Sequence, residues 1–457
     1  MRRVGPLPLI LIVAGCMTST PVRTKAIAVG AAPTKSSGPT LSSVDNKSPS
    51  PTPANAASPS ATAAPQPSAT AKPTTKPSGT PTVAPTAQPT SNTPAPSSSV
   101  GGVVYNSDPL PSPTPTPVPV PPSAVGVSTY AGRGNQGFID ALAADSEFTQ
   151  PYALAVQGSA AMFVGDRSGN RVRRIDLATR QVSTVAGSGV AGYHDGIGQQ
   201  AQFKTMNALT LDAAGNVYVA DAGNSVIRKI DMSDPGNPSV STLAGIAGTP
   251  GKRDGAAGQA LFSGPWCMTV VGRTLYVADA GNRCVRAIDL DSLNVSTFAG
   301  TGTAGTADGP AANATFTSPQ GLAVDAASNF YISDAGTHVI RRIDWADGNH
   351  AVTTVAGRGS AGNVNADGTN AAFNTPRGVA VGSDGNLYVA DTNNHVIRKI
   401  DLASAGRTVT TYAGTGTAGF FDGDVASAKF DTPVGLLWAA GGLCVADTNN
   451  FRVRLIQ

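Results

Sequence analysis

The 457-residue sequence is poor in charged, aromatic, histidine and cysteine residues, and these shortages exclude several classes of protein. Only 13% of the residues are charged, the formal net charge is +3, and no long basic run is interleaved with aromatics. A nucleic-acid partner is therefore not expected. The four histidines, His194, His338, His350 and His395, are not placed to converge as a three-histidine metal site would. We therefore expect no metal and no cofactor.

The cysteine count does not support a disulfide framework. Apart from Cys16 near the N-terminus, the chain has Cys267, Cys284 and Cys444, which is an odd number. Cys267 and Cys284 are predicted on non-neighbouring strands of one sheet, too far apart to bridge. All three occupy apolar positions of a repeated pattern, so we expect small buried hydrophobic side chains.

The N-terminus also lacks an apolar run long enough to cross a bilayer. Arg2 and Arg3 precede the apolar residues 7–14, whereas a membrane-spanning helix needs about 20 residues. The sequence Val-Ala-Gly-Cys at 13–16 resembles the lipobox of bacterial lipoproteins, whose cysteine is acylated. This resemblance implies a signal peptide at residues 1–16, lipidation of Cys16, and export to the outer membrane or cell surface with the lipid as membrane anchor. The alternative is a plain secretory peptide with an incidental cysteine.

A proline-rich segment follows the predicted signal. Of the 35 prolines, 26 precede residue 123, and residues 17–124 consist mainly of Ser, Thr, Pro and Ala. Such a composition cannot bury enough apolar area to offset the loss of chain entropy. It predicts a disordered, partly polyproline-II linker, whose reach at full extension would be on the order of 300 Å.

The remaining residues, 125–457, contain six copies of one pattern. In each copy an apolar run ends on an aspartate, and these aspartates lie 55 to 58 residues apart: Asp166, Asp221, Asp279, Asp334, Asp391 and Asp447. Self-similarity at such a period is typical of repeat architectures. In the fifth copy, residues 379–381, 387–391, 396–401 and 409–412 read as four short strands separated by turn residues. The pattern predicts an all-β fold, a six-bladed β-propeller of four-stranded antiparallel blades.

The two ends of this region predict how the ring closes. A copy of the fourth strand, residues 127–130, comes before any complete blade, and the sixth blade ends at Gln457 after its third strand. We expect the N-terminal strand to supply the missing strand of blade 6 and to cover its edge.

The repeat is similar to a known family. Residues 376–381 (Pro-Arg-Gly-Val-Ala-Val), 386–391 (Asn-Leu-Tyr-Val-Ala-Asp) and 394–398 (Asn-His-Val-Ile-Arg) resemble the NHL repeat. The long connectors, as at 413–433, resemble those of bacterial NHL proteins and teneurin-type propellers. The resemblance implies six blades, with ligands bound near the central channel.

Residues present in every copy are predicted to be structural, because a single active site needs a residue once. An arginine follows each repeated aspartate by seven positions: Arg173, Arg228, Arg286, Arg341, Arg398 and Arg454. The connectors repeat an aspartate, Asp140, Asp195, Asp254, Asp308, Asp367 and Asp422, and then a phenylalanine, Phe148, Phe203, Phe262, Phe316, Phe373 and Phe430. We expect arginine–aspartate pairs and phenylalanines packed between blades; a ring of carboxylates that binds cations is the alternative.

Function is therefore sought where the copies differ. The residue that starts each innermost strand at the channel mouth differs in every blade: Tyr152, Asn207, Trp266, Gln320, Arg377 and Val434. Aromatic, amide and guanidinium groups are suited to stacking on and hydrogen bonding a polar ligand. Blade 1 also has Arg167-Ser168 where other blades have Ala-Gly or Thr-Asn. We interpret the six as a candidate ligand-binding ring.

No catalytic constellation is evident from the spacing of residues. Amidating lyases and gluconolactonase-like propellers rely on channel histidines or carboxylates with a metal, and this sequence has no evident counterpart. The sequence therefore favours a monomeric binding module for a protein or glycan ligand, anchored at the cell envelope, rather than an enzyme. The alternative is a hydrolase or lyase acting at the channel mouth.

Overall fold

A computed structural model describes residues 126–457. The predicted signal peptide at 1–16, the lipidation at Cys16 and the linker at 17–124 lie outside the described residues. Within residues 126–457 we find no helix with the length and apolar character needed to span a membrane.

The chain forms strand β1 and then three blades. Strand β1 is Gly126–Ala131. Blade 1 contains β2 Pro151–Gln157, β3 Ala161–Asp166, β4 Arg171–Asp176 and β5 Val182–Ala186. Blade 2 contains β6 Gly196–Ile197, β7 Met206–Leu211, β8 Val217–Asp221, β9 Val226–Asp231 and β10 Ser239–Ala244. Blade 3 contains β11 Gly255–Ala256, β12 Pro265–Val271, β13 Thr274–Asp279, β14 Cys284–Asp289 and β15 Asn294–Ala299.

Three further blades follow. Blade 4 contains β16 Pro319–Val324, β17 Phe330–Asp334, β18 Val339–Ile343 and β19 Val352–Ala356. Blade 5 contains β20 Ala366–Asp367, β21 Pro376–Val381, β22 Leu387–Asp391, β23 Val396–Ile400 and β24 Thr408–Ala413. Blade 6 contains β25 Gly423–Asp424, β26 Pro433–Ala439, β27 Gly442–Asp447 and β28 Arg452–Ile456. Single-turn 3₁₀ helices lie at Gly198–Gln200, Ala222–Asn224, Ala280–Asn282, Gly368–Asn370, Thr392–Asn394 and Thr448–Asn450.

The strands pair into six antiparallel sheets, which confirms the predicted six-bladed propeller. Two sheets have four strands. The other four have a fifth, two-residue strand that the preceding connector adds at the outer edge. The innermost strands β2, β7, β12, β16, β21 and β26 each contact the next, and β26 contacts β2, so the ring is closed.

The N-terminal strand completes blade 6, as predicted. Strand β1 pairs antiparallel with β28, with Val127 opposite Ile456 and Thr129 opposite Arg454. Two backbone hydrogen bonds, of 2.8 and 3.0 Å, join Gly126 and Gln457. Since β25 pairs with the other side of β1, the closing strand has a partner on both edges.

The core lies between neighbouring blades. Phe203, for example, is fully buried among blade 1 residues such as Ala155 and blade 2 residues such as Leu209. A buried phenylalanine of this kind contributes about 1.5–3 kcal/mol to the free energy of unfolding. The repeated connector phenylalanines therefore pack between blades, as predicted.

The innermost strands of blades 4 to 6 have glycine as their third residue, and each glycine lies against the backbone of the next blade. A Cβ on Gly321 would lie 2.1 Å from the Arg377 carbonyl oxygen, and one on Gly378 would lie 2.0 Å from that of Val434. No side chain fits at such distances, so glycine is required there. This close packing fixes the backbone of two candidate ring residues.

Candidate functional site

One cavity lies where the six innermost strands begin. Its lining includes all six candidate ring residues: Tyr152, Asn207, Trp266, Gln320, Arg377 and Val434. Each is the second residue of its strand, which is why the six meet at one level of the channel. The cavity volume is about 40 Å³, enough for a few waters at roughly 10–15 Å³ each. The structure thus brings the predicted ring together, and ligand binding by it stays a prediction.

Three side chains from different blades meet across the channel and explain why the cavity is small. The Arg377 Nη1 donates a hydrogen bond of 3.3 Å to the Tyr152 hydroxyl. The Arg377 guanidinium carbon lies 5.7 Å from the centre of a Trp266 ring. The rings of Tyr152 and Trp266 are 6.3 Å apart and inclined at 55°. The Arg377 guanidinium thus contacts both the Trp266 ring and the Tyr152 hydroxyl, and the two rings are inclined to each other.

The blade 1 side of the mouth carries a second guanidinium. The Arg167 Nε donates to Asn207 Oδ1 at 3.0 Å, and its guanidinium carbon lies 4.8 Å from the Tyr152 ring centre. Asn207 in turn donates to the Pro265 carbonyl oxygen at 3.3 Å. Arg167, which stands where the other blades have alanine or threonine, therefore orients two residues of the ring, Asn207 and Tyr152.

Burial and charge set the protonation state of the ring phenol. Tyr152 is 3% exposed, whereas Trp266, Gln320 and Arg377 are partly exposed. Burial raises the pKa of Tyr152, and the positive charges of Arg377 and Arg167 only partly oppose that shift. The phenol is therefore neutral at pH 7 and acts as a hydrogen-bonding group.

The mouth has unused polar atoms and an excess of positive charge. Arg377 Nε and Gln320 Oε1 are buried and have no hydrogen-bond partner among residues 126–457. The cavity lining includes Arg377 but no aspartate or glutamate. Six other arginine Nε atoms in residues 126–457 are also buried without a partner, so the Arg377 Nε alone does not indicate a ligand. The Arg377 charge in the lining and the unpaired Gln320 Oε1 together favour a bound polar group.

The repeated arginines are structural, as expected. All six are fully buried. Arg454, for instance, donates to Asp447 at 2.7 Å, to Asp422 at 3.0 Å and to the Phe421 carbonyl oxygen at 2.9 Å. Its guanidinium also lies 5.3 Å from the ring centre of Phe430. Since these carboxylates already accept hydrogen bonds from the protein, their geometry favours a structural role over cation binding.

The connector aspartate assigned to blade 5, Asp367, is not at the position that the other blades use. In blade 5 the arginine Arg398 donates to Asn365 Oδ1 at 2.7 Å, not to Asp367. Asp367 instead accepts a hydrogen bond of 2.6 Å from the Thr408 hydroxyl. Asn365 occupies the position of Asp422 in the connector, and the Asp-Gly sequence two residues later suggested the wrong register.

The repeated strand-end aspartates fall into two groups. In blades 2, 3, 5 and 6 the asparagine three residues later donates a hydrogen bond to the carboxylate, as Asn450 does to Asp447 at 2.8 Å. The same carboxylate also forms an ion pair with the repeated arginine of its blade, as Asp447 does with Arg454. Gly169 and Thr337 replace that asparagine in blades 1 and 4. There the carboxylate accepts two backbone N–H groups instead, as Asp334 does from residues 317 and 318. Burial raises the pKa of Asp279 and of Asp447 to about 6.

The histidines serve the fold in different ways. Nδ1 of His338 accepts the Thr375 N–H at 3.0 Å, and Nδ1 of His395 accepts the Thr432 N–H at 3.2 Å, so each joins its blade to the next connector. His350 stacks on Trp345, at a ring distance of 5.3 Å. Residues 126–457 contain no group of three or more His, Cys, Asp or Glu residues that could hold a metal ion.

Within residues 126–457, no disulfide involves Cys267, Cys284 or Cys444. Cys284 and Cys444 are buried, and Cys267 is partly buried at the cavity lining. Strand β13 separates the strands of Cys267 and Cys284, as predicted. Burial raises the pKa of the Cys284 and Cys444 thiols to about 12.

Sequence reasoning missed a pair of exposed cation–π contacts on the connectors. Arg171 lies 3.7 Å from the ring centre of Phe138, and Arg452 lies 3.7 Å from that of Phe420. Burial lowers the pKa of both arginines. The signal was available: only blades 1 and 6 combine an arginine at the start of the third strand with a phenylalanine at this connector position.

The described residues thus define a closed six-bladed β-propeller with a polar and aromatic channel mouth. The NHL repeat profile matches residues 373–400, in blade 5. SUPPRESSOR OF QUENCHING 1 of Arabidopsis thaliana is 32% identical over 313 residues, covering 65% of this chain and 29% of that protein. NHL repeat-containing protein 2 of Homo sapiens is 28% identical over 306 residues, covering 59% of this chain and 41% of that protein. The chain is a six-bladed propeller whose fifth blade matches the NHL repeat.

A solved structure shares the fold. An auxiliary nutrient binding protein from Bacteroides thetaiotaomicron aligns with a TM-score of 0.56 at 17% identity, over 73% of this chain and 76% of that one. At this identity the likeness shows the fold alone. The chain also spans less than half the length of the two curated relatives.

Proposed function

We propose that the protein is a cell-envelope-anchored binding module whose propeller captures a glycan or protein ligand at the channel mouth. One observation carries this proposal: the six innermost positions, different in every blade, line a single cavity. An NHL propeller fold, and a nutrient-binding protein that shares it, support an interaction role.

The chemistry of the lining favours binding over catalysis. Its titratable side chains are Tyr152, Cys267 and Arg377. Because burial raises the pKa of the Tyr152 phenol, that group stays protonated and is a poor general base at neutral pH. A hydrolase or lyase at the same mouth remains the competing proposal, and it requires turnover of whichever ligand binds.

The test is a binding screen of the full-length protein against glycans and envelope proteins. Trp266→Ala and Arg377→Ala should each weaken binding of the selected ligand at least tenfold. Trp345→Ala is the matched control, because Trp345 is 37% exposed but packs on His350, away from the cavity lining. Binding that tolerates both channel variants would refute the channel mouth as the site, and conversion of the ligand would establish the enzyme.

Anchoring is a separate proposal that rests on the lipobox-like residues 13–16. Acyl chains on Cys16 would hold the protein at the membrane, since each buried methylene contributes about 0.8 kcal/mol. The expected result is detergent-phase partition of the wild-type protein and aqueous-phase partition of Cys16→Ala. Gel filtration in detergent would test the expected monomer.

A further inference from the structure

The channel mouth is built to receive a negative charge. Arg377 contributes a guanidinium to the cavity lining, and the guanidinium carbon of Arg167 lies 4.8 Å from the centre of the Tyr152 ring. No aspartate or glutamate lines the cavity to balance them. Because the site is partly desolvated, an anionic group there would gain more from these charges than it would at an open surface.

The free edge of Arg377 identifies the anion. Its Nη1 is engaged by Tyr152, whereas its Nε is buried without a partner among the described residues. The Nε side of a guanidinium presents two parallel donors, which match the two oxygens of a carboxylate. The unpaired Gln320 Oε1 is an acceptor and fits a hydroxyl of the same ligand.

The cavity size determines how such a ligand enters. A volume of about 40 Å³, enough for a few waters, accommodates a carboxylate. At the mouth, Trp266 is partly exposed and inclined at 55° to Tyr152, which offers the attached ring an aromatic surface. Aromatic faces of this kind stack on the apolar face of a flat or cyclic group.

We infer that the channel mouth binds an acidic sugar, with its carboxylate inserted against Arg377 and its ring stacked on Trp266. This inference rests on the proposed binding function and names the ligand class for the same site. Arg167 orients Asn207 and adds to the positive potential without contacting the carboxylate.

The test compares two ligands that differ only at carbon 6. Methyl glucuronide carries a carboxylate there, and methyl glucoside carries a hydroxymethyl group. With full-length protein, calorimetry should show the glucuronide binding at least about tenfold more tightly, because charge-assisted bidentate pairs are the strong hydrogen bonds. Added salt should reduce that preference.

Protein variants assign the preference to one side chain. Arg377→Gln should bring the two ligands to within about twofold of each other, and Arg377→Lys should restore part of the preference, since lysine keeps the charge but not the paired donors. Arg358→Gln is the control, because Arg358 is an exposed connector arginine outside the lining. Thermal unfolding and circular dichroism would verify that each variant is folded.

The outcomes separate this inference from the proposed function. Equal binding of both sugars, lost in Trp266→Ala, would overturn the acidic-sugar inference and leave the binding function standing. Binding only of peptides with a free C-terminal carboxylate, dependent on Arg377, would also overturn it, in favour of a peptide ligand. If the glucuronide does not bind, the acidic-sugar inference is wrong; the channel-mouth function is wrong only if a ligand selected in the binding screen tolerates both Trp266→Ala and Arg377→Ala.

Discussion

Removing the Asp422 carboxylate tests how the N-terminal strand is fastened to the ring. Asp422 joins two elements of blade 6: its Oδ1 accepts from Arg454 Nε at 3.0 Å, and its Oδ2 accepts from the Thr129 N–H at 3.1 Å. Arg454 is fully buried, whereas the Asp422 side chain is 38% exposed. Asp422→Ala therefore removes one hydrogen-bond acceptor from the buried Arg454 guanidinium and one from Thr129 of strand β1.

The size of the effect follows from these contacts. Breaking a buried ion pair costs about 3–5 kcal/mol. The exposure of Asp422 and the remaining bond from Arg454 to Asp447 reduce the expected loss to about 2–3 kcal/mol in the free energy of unfolding. For a domain of about 330 residues, the unfolding entropy is roughly 0.7 kcal/mol/K, so the melting temperature should fall by about 3–4 °C.

Blade 5 supplies a natural control for the charge. Asn365 stands where Asp422 stands in blade 6, and it accepts from Arg398 through its amide oxygen at 2.7 Å. Asp422→Asn should therefore cost only about 1 kcal/mol, because the acceptor for arginine remains. The reverse change, Asn365→Asp, should stabilise blade 5 slightly.

The assay is calorimetric and urea-induced unfolding of the full-length protein. If Asp422→Asn destabilised the protein as much as Asp422→Ala, the charge rather than the acceptor geometry would be decisive, and the comparison between blades would be wrong. An alanine variant as stable as the wild type would show that Asp422 does not fasten β1.

Three further predictions concern closure, pH and thiol reactivity. Deleting residues 125–131 should lower the melting temperature by many degrees, because the deletion exposes an edge of β28; an unchanged value in calorimetry would contradict closure. Burial raises the pKa of Asp447 to about 6, so between about pH 4 and 6 the folded state binds more protons than the unfolded state. The contribution of Asp447 to the free energy of unfolding should therefore increase as pH falls from about 6 to about 4, and Asp447→Asn should remove this pH dependence. Identical curves of stability against pH for the wild type and the variant would refute the prediction. Iodoacetamide should modify Cys284 and Cys444 only after denaturant is added, as read by peptide mass spectrometry, because burial raises both thiol pKa values to about 12; rapid labelling of the folded protein would show that the thiols are accessible.

The sequence predicted well the features that depend on the local strand pattern and on the number of strands. Short strands with turn residues between them defined each blade, and the surplus strand predicted at 127–130 required a partner at the other end. The ring of six side chains could be predicted because equivalent positions of the six innermost strands lie at the same level of the channel. These inferences need only the alignment of the six repeats and the alternation of side chains between the two faces of a strand.

The features that sequence did not predict depend on contacts between blades. The choice of Asn365 over Asp367 depends on the register of a connector against Arg398, which no local pattern specifies. The small size of the cavity depends on Arg377 reaching Tyr152 across the channel. Such distances follow from how six blades pack together.

The way in which β1 is held has a mechanical consequence. Any pull that reaches the domain through residues before 126 acts first on this strand. Hydrogen bonds to β25 and β28 lie on its two sides, roughly perpendicular to the strand, so a pull along the strand axis must shear several of them at once before the strand can leave. A force applied along β1 would thus be distributed over several hydrogen bonds of blade 6 and would not break them one after another.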